Sequence, residues 1–559
     1  MSGIVECVPN FSEGRNKSVI DAIARSIENT NGVKLLDVDP GADTNRTVMT
    51  FVGPPDTVIV AAFEAIKTAS ELIDMRQHHG AHPRIGATDV CPLVPVAGIT
   101  MEECVRLAHL LGKCVGEELK IPVFLYEAAA TVPERTNLAD IRKGEYEGLA
   151  ARLNDPVWKP DYGPAEFNAR SGATVIGARE FLIAYNINLN TRDQKLAHKV
   201  ALNIREAGRA KRDEHGNLMR DSAGNTIKEP GTLRAVKAVG WYIPEYGRAQ
   251  ISMNLVNSKI TPPHLAFDEC CQQAAAFGLR VTGSELIGLI PLEAMLEAGR
   301  YFLRKQEKSA GVPDSELIHL AIQSMGLNEI NPFDPMKKII EYRLAPPFGP
   351  LAQMSITKFV DETSMDSPAP GGGSVSATAG AMGAALAAMV CNLTIGKKGY
   401  ETVWEILKPL AEEAQKSKNN FLKAIDRDTE AFNAVMAAFS LPKSNELEKT
   451  ARATAIQDAN KGAVKIPLSV MQMGVELLEK IIPVAENGNA NALSDIGVAA
   501  LMLRSAAEGA FFNVKINLPN IIDQDFVNTH QIEADKLLSL ARIAERKILD
   551  IVEQRMNRK

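Results

Sequence analysis

Near residues 331–352 the chain changes texture, and that break constrains the fold more than any other feature. NPFDP and LAPPFGPLA place five prolines in this stretch, which suits a connecting segment better than a helix or strand. Before the break, β-rich runs alternate with helical periodicity. GIVECV (3–8), VKLLDVD (33–39), TVMTFVG (47–53), ATDVCPLVPV (87–96) and IPVFLYEAA (121–129) read as strands, with helices at 14–28, 56–72 and 101–118. A Pro-, Gly- and Asn-rich stretch at 156–180 interrupts the pattern. A second round follows: FLIAYNINL, a helix at 192–208, RAVKAVGWYI, AQISMNLVN, a helix at 263–277 and LRVTGSELIGLIPL. Residues 211–231 between them are polar and turn-rich, a surface excursion.

After the break, strand-like runs nearly vanish. Helical periodicity or composition covers 374–395, 400–424, 428–440, 445–486, 490–513 and 531–557. The expected fold class is α/β, as two βαββα-type subdomains, followed by an all-α helical-bundle domain. The boundaries are 1–180, 181–330, a linker at 331–354, and 355–559. A length of 559 residues is compatible with three or four such units at roughly 150 residues each.

A net charge of −6 gives no basic surplus for nucleic acid, and no aromatic-stacking RNA module is visible. The seven cysteines are scattered and form no CxxC pair, which argues against a disulfide framework or zinc ribbon and for a reduced, cytoplasmic protein. MSGIVECVPNFSEG has no basic stretch followed by an apolar one, so no secretory signal is expected. Residues 374–393, SVSATAGAMGAALAAMVCNL, have the length of a membrane span. Their Ala, Gly, Ser and Thr content instead predicts a buried helix in a tight bundle.

Three loops of the first half concentrate polar chemistry. MRQHHGAHPRIGATD (75–89) places three of nine histidines, His78, His79 and His82, within five positions. A zinc helix of the HExxH kind needs a Glu and a regular helix, whereas Gly80 and Pro83 interrupt this segment. An imidazole on such a loop can serve as a general base, because its pKa lies near working pH. VPNFSEGRN (8–16) carries Asn10, Ser12 and Arg15. DVDPGADTNRTV (37–48) carries Asp37, Asp39, Asp43 and Arg46. The calcium reading of this run fails, since the twelfth position from Asp37 is Val48 rather than Glu. A carboxylate beside a histidine can fix its tautomer. Sequence alone does not show whether the three loops converge.

In order and spacing, VECVPNFSEGRN, LLDVDPGADTNRTV and HHGAHPRIGATD, with DYGP, GATVIGARE and LIAYNINL downstream, resemble the glutamate formimidoyltransferase domain over roughly 1–330. The resemblance implies transfer of a formimidoyl group between glutamate and tetrahydrofolate, with His82 catalytic. It also implies folate binding by Gly163, Pro164, Ala165, Glu166, Phe167, Asn168, Ala169, Arg170, Ser171 and Gly172. Within that reading, Asp39 is the candidate for orienting His82 and Asn10 for placing the transferred group. Arg46, like Arg15 and Arg84, is a candidate partner for substrate carboxylates.

In the second half, DSPAPGGGSVSATAG (366–380) lacks the lysine of a phosphate loop, which argues against an ATP-driven ligase. Its glycines allow close backbone approach, and the helix start could hold a carboxylate. Asp426 and Asp428 in AIDRDTEAFNAV, and Asn489, Ser494 and Asp495 in ENGNANALSD, read on local pattern as helix caps. PGGGSVSA, DRDTEAF, GNANALSD and NVKINL together resemble the formimidoyltetrahydrofolate cyclodeaminase family over about 355–550. That family's catalytic aspartate maps onto Asp428, with Asp426 the nearby competitor. Both halves, in this order, resemble the bifunctional formimidoyltransferase-cyclodeaminases. The resemblance implies tetrahydrofolate as co-substrate, carrying a polyglutamate tail, with no metal. It implies folate and glutamate as small-molecule partners, and a homo-oligomer in the form of an octameric ring. The alternatives are formyl transfer between 5-formyltetrahydrofolate and glutamate, or a folate-binding scaffold with silent sites.

Overall fold

The computed structural model describes every residue except Met1, Ser2, Asp43, Ala81, His82, Ala223, Pro368 and Lys559. The chain forms two compact units, one of Met1–Ala294 with Met325–Leu344, the other of Met295–Ser324 with Ala345–Lys559.

The first unit contains two sheets. The larger has seven strands: β1 (Ile4–Cys7), β2 (Asn10–Phe11), β3 (Lys34–Gly41), β4 (Arg46–Gly53), β5 (Thr88–Ala97), β6 (Val123–Glu127) and β7 (Thr174–Ala178). β1 and β2 each pair antiparallel with both β4 and β5, and β3 flanks β4. β7 lies parallel between β5 and β6. Helices α1 (Lys17–Glu28), α2 (Pro55–Leu72) and α3 (Met101–Glu118) bury Ile23, Ile66 and Leu111 against Met49, Phe51 and Leu93 of the sheet. Short helices α4 (Leu138–Ile141) and α5 (Glu145–Arg152) pack Ile141 and Leu149 against Phe124 and Val175.

β7 falls inside the stretch expected to be a break. TVIGA is buried along its whole length, as a central parallel strand must be, so it shows no alternation, and flanking glycines hide its short apolar run. β2 is two residues long and equally invisible to periodicity.

The smaller sheet runs β11 (Val236–Ile243), β12 (Arg248–Leu255), β8 (Ile183–Leu189), β13 (Val281–Ile287), all antiparallel, with α6 (Gln194–Ile204) and α7 (Pro263–Ala276) as its helices. The excursion at 211–231 follows the minimal strand β9 (Arg209–Ala210) and ends with its antiparallel partner β10 (Lys228–Glu229). Beyond β9 it is an eight-residue repeat, RDEHGNLM then RDSAGNTI. In each copy the Arg donates to the Gly carbonyl, Arg212 to Gly216 at 2.6 Å and Arg220 to Gly224 at 2.7 Å. The Asp side chain accepts from the Asn backbone N–H, at 2.8 Å in both copies. Met219 N donates to Lys211 O and Ile227 N to Met219 O, each at 2.9 Å, so successive copies stack like rungs.

α8 (Leu292–Lys305) and α9 (Asp314–Met325) lie within the range expected for the first unit, yet most of both belongs to the second. The turn between them is held there by Asn392 Nδ2, which donates to Gly311 O at 2.7 Å. The expected linker carries two short helices, α10 (Pro335–Lys338) and α11 (Ile340–Leu344).

The rest of the second unit is helical: α12 (Ile356–Thr363), α13 (Gly372–Asn392), α14 (Trp404–Phe439), α15 (Glu446–Lys480), α16 (Ile482–Asn487), α17 (Leu493–Asn517) and α18 (Gln524–Asn557). Among the described residues α13 alone is long and apolar enough to cross a membrane. It instead packs between α14 and α17, burying Ala377, Ala381, Ala384 and Ala388. A Cβ on Gly383 would lie 2.8 Å from Leu503 Cγ and 2.9 Å from Ala499 O, so only glycine allows this approach.

Candidate active sites

The three polar loops of the first unit converge. Asn45 ties them together from a left-handed backbone conformation, φ 48°, that asparagine tolerates better than most residues. Its Oδ1 accepts from Gly14 N and its Nδ2 donates to His79 O, both at 3.0 Å. Ser12 Oγ donates to Gly86 O at 2.7 Å. Gly80 lies so close to the Thr44 carbonyl that a Cβ would overlap it. His82 itself lies outside the described residues, while the segments on both sides of it are anchored. Asp89 closes the far side: it is buried, accepts from Ile85 N at 3.0 Å, and pairs with Arg142.

Asn10 is buried on β2, and its Oδ1 accepts from Arg46 Nε at 2.8 Å. Burial lowers the Arg46 pKa, and the carboxylates of Asp89 and Asp39 oppose that shift. Asp39 stands opposite Val48 in the β3–β4 register. With Asp37 it lines a cavity of about 430 Å³ whose other walls include Glu285, Ile287, Lys337, Lys338 and Arg343. Asn10, Arg46 and Asp39 thus share one neighbourhood. Arg84 does not offer its guanidinium to a substrate carboxylate as expected, because Glu145 and Glu147 occupy it at 2.7–2.9 Å. Arg15 is exposed, with Nε on Ala42 O.

The segment expected to bind folate is split between two surroundings. Gly163, at φ 80°, packs beside Gly116 on α3, and Pro164, Ala165 and Glu166 follow at the surface. Phe167 makes a ring contact with Tyr146, whose hydroxyl donates to Ala169 O at 2.5 Å. Asn168 O accepts from Gly172 N at 2.7 Å, Arg170 O from Met75 N at 2.9 Å, and Ser171 O from Ala87 N at 2.8 Å. The half from Phe167 to Gly172 therefore borders the histidine loop. Sequence reading missed Asn45, Asp89, Glu145 and Glu147; the last two stand far from the loop in sequence and have no motif of their own.

In the second unit, Asp426 and Asp428 sit deep inside the continuous helix α14, so neither is a cap. Their roles separate cleanly. The Asp426 carboxylate accepts from Leu351 N at 2.8 Å and Ala352 N at 3.1 Å, which commits it to holding that loop. Asp428 faces the start of α13, where Ser374 Oγ lies 3.3 Å from its Oδ2 and 2.8 Å from Ile425 O. Gly373 leaves the room its carboxylate occupies, since a Cβ there would overlap it. Burial raises the Asp428 pKa, while hydrogen bonds from the Ser374 hydroxyl and backbone N–H oppose the rise. The carboxylate expected at this helix start is thus the protein's own. Asn489 caps a short turn through Asn491 N, and its Oδ1 accepts from Lys397 Nζ at 2.7 Å.

Residues 4–179 match the model of the formiminotransferase domain, N-terminal subdomain, 184–345 that of the formiminotransferase domain, and 355–536 that of formiminotransferase-cyclodeaminase. The formimidoyltransferase-cyclodeaminase of Dictyostelium discoideum is 44% identical, over 99% of this chain and 100% of its own length. The chain belongs to the formimidoyltransferase-cyclodeaminase family. Family members of a single half match it separately. The glutamate formimidoyltransferase of Streptococcus pyogenes serotype M1 is 41% identical over 55% of this chain and 95% of its own. The methenyltetrahydrofolate cyclohydrolase of Methylorubrum extorquens is 40% identical over 36% of this chain and 98% of its own.

Proposed function

We propose that the first unit transfers the formimidoyl group of N-formimidoyl-L-glutamate to N5 of tetrahydrofolate, and that the second closes the product to 5,10-methenyltetrahydrofolate with release of ammonia. The observation that carries this reading is the match along the whole length of relatives named for both activities. In the transfer, N5 attacks the formimidoyl carbon and forms a tetrahedral centre. N5 loses a proton and the departing glutamate nitrogen gains one. His82 is the base and then the acid, Asp39 orients it, and Asn10 with Arg46 places the group being moved. Phe167 to Gly172 border the folate. In the cyclisation, N10 attacks the same carbon and loses its proton, the formimidoyl nitrogen gains one and departs as ammonia, and the C=N bond to N10 forms. Asp428, with its pKa raised by burial, takes the N10 proton and returns one to the leaving nitrogen.

The test assays each half-reaction separately in the full-length protein and its His82→Ala and Asp428→Ala variants: transfer from N-formimidoylglutamate to tetrahydrofolate, and ammonia release from supplied 5-formimidoyltetrahydrofolate. The expected result is that His82→Ala loses only the first and Asp428→Ala only the second. A folded wild type that makes neither product, or that prefers 5-formyltetrahydrofolate as donor, overturns the assignment.

The tetrahydrofolate carries a polyglutamate tail, and the enzyme acts without a metal in the cytoplasm as a homo-oligomer, an octameric ring. The seven cysteines are free thiols, which supports a reducing compartment. Dialysis against a chelator is expected to leave both rates unchanged, and light scattering to give eight copies.

A further inference from the structure

Four residues before His82 stands a histidine that faces inward. His78 is 7% exposed, and both ring nitrogens are engaged. Nε2 lies 2.8 Å from Asn45 O, and Nδ1 lies 3.2 Å from Arg84 Nε. A guanidinium has only donors to offer, so Nδ1 must present its lone pair. The carbonyl of Asn45 only accepts, so Nε2 carries the hydrogen. One arrangement satisfies both partners: a neutral imidazole with its proton on Nε2.

Each partner is itself fixed. Arg84 is clamped by Glu145 and Glu147 from α5 and also donates to His78 O at 3.3 Å. Asn45 holds the backbone of Gly14 and His79 with its side chain. His78 therefore joins the 8–16 and 37–48 loops to the α5 carboxylates, across the base of the loop that carries His82.

We propose that His78, as a neutral Nε2–H imidazole, is a positioning residue for the transfer reaction, fixing the His82 loop between Asn45 and Arg84. The proposal rests on the transferase reading of this site. Protonating His78 puts an N–H against the Arg84 N–H and adds a cation beside a guanidinium, so the clamp opens. The charged and titratable groups facing the ring are Arg84, Glu13 and His79, with Glu145 and Glu147 behind Arg84. Burial, followed by the nearby Arg84 charge, holds the His78 pKa below its ordinary value, against the Asn45 hydrogen bond that favours the cation.

The test compares the wild type with His78→Leu and His78→Gln, all full length. Leucine fills space without hydrogen bonding; glutamine can accept from Arg84 and donate to Asn45. Transfer kcat and KM are measured between pH 5 and 8, with the cyclodeaminase rate on supplied 5-formimidoyltetrahydrofolate as a fold control. His78→Leu is expected to lose roughly 10- to 100-fold in transfer kcat, with KM nearly unchanged and cyclisation intact. His78→Gln is expected to keep most of the rate. Towards pH 5 its transfer rate falls less steeply than that of the wild type, because glutamine cannot take up the proton that opens the clamp. Wild-type transfer by His78→Leu, equal losses in both variants, or an unchanged acid limb in His78→Gln overturns the proposal. Absence of transfer in the wild type overturns the functional reading instead, and the control shows which has failed.

Discussion

Two aspartates on one helix, two positions apart, do different work. Asp426→Ala leaves the N–H groups of Leu351 and Ala352 without their acceptor, which costs about 1–3 kcal/mol for each one left unpaired. The midpoint of denaturant unfolding, followed by the helical circular dichroism signal, should fall accordingly. Asp428→Ala should leave that midpoint nearly in place while abolishing ammonia release. Gly373→Ala pushes a methyl group into the Asp428 carboxylate and should cut cyclisation at least tenfold without touching transfer, as steady-state rates of each half-reaction would show. The sequence motif mapped the catalytic aspartate onto Asp428 with Asp426 as its competitor. What separates their surroundings is a loop 75 residues away, bound by Asp426, that only the fold brings near. The same holds for Asn45, whose bonds to Gly14 and His79 span 31 and 34 residues.

Elements were legible where their apolar period was long and unbroken. α13 and the hairpin of β11 and β12 fall where periodicity put them. α14 was read as two helices because DRDT looks like a start signal. It continues through, since the carboxylates find partners across the helix rather than along it. The tight contact of α13 predicts that Gly383→Val costs about 1–3 kcal/mol or more by overpacking against Leu503, seen as a lower thermal midpoint. β1 carries a second liability. Burial raises the pKa of Glu6 to about 7, although the Arg179 charge opposes this. The folded state binds that proton more tightly than the unfolded chain does, so stability falls as pH rises from about 4.5 to about 7. Glu6→Gln should therefore stabilise the protein by a few kcal/mol at pH 8 and by almost nothing at pH 4, measured as thermal midpoints at both values.

Across the whole molecule, the two reactions of the family act on one carbon in turn, and the proposed groups differ: the imidazole of His82 for transfer and the buried carboxyl of Asp428 for cyclisation. Mixing His82→Ala with Asp428→Ala should restore methenyl formation after a lag, because each supplies the step the other lacks. No restoration would show that the intermediate never leaves the chain that made it. The division into an α/β part and a helical part was readable from the proline-rich break, but the transfer of α8 and α9 to the helical side was not. Their apolar faces say that they are buried, not against which partner. The paired turns between α6 and β11 bear on length. Each copy enters and leaves on the same rung, so chain can be lost or gained there eight residues at a time without moving either flanking element. Insertions of any other size would break the ladder, which makes this stretch a ruler against which length variants of the chain can be counted.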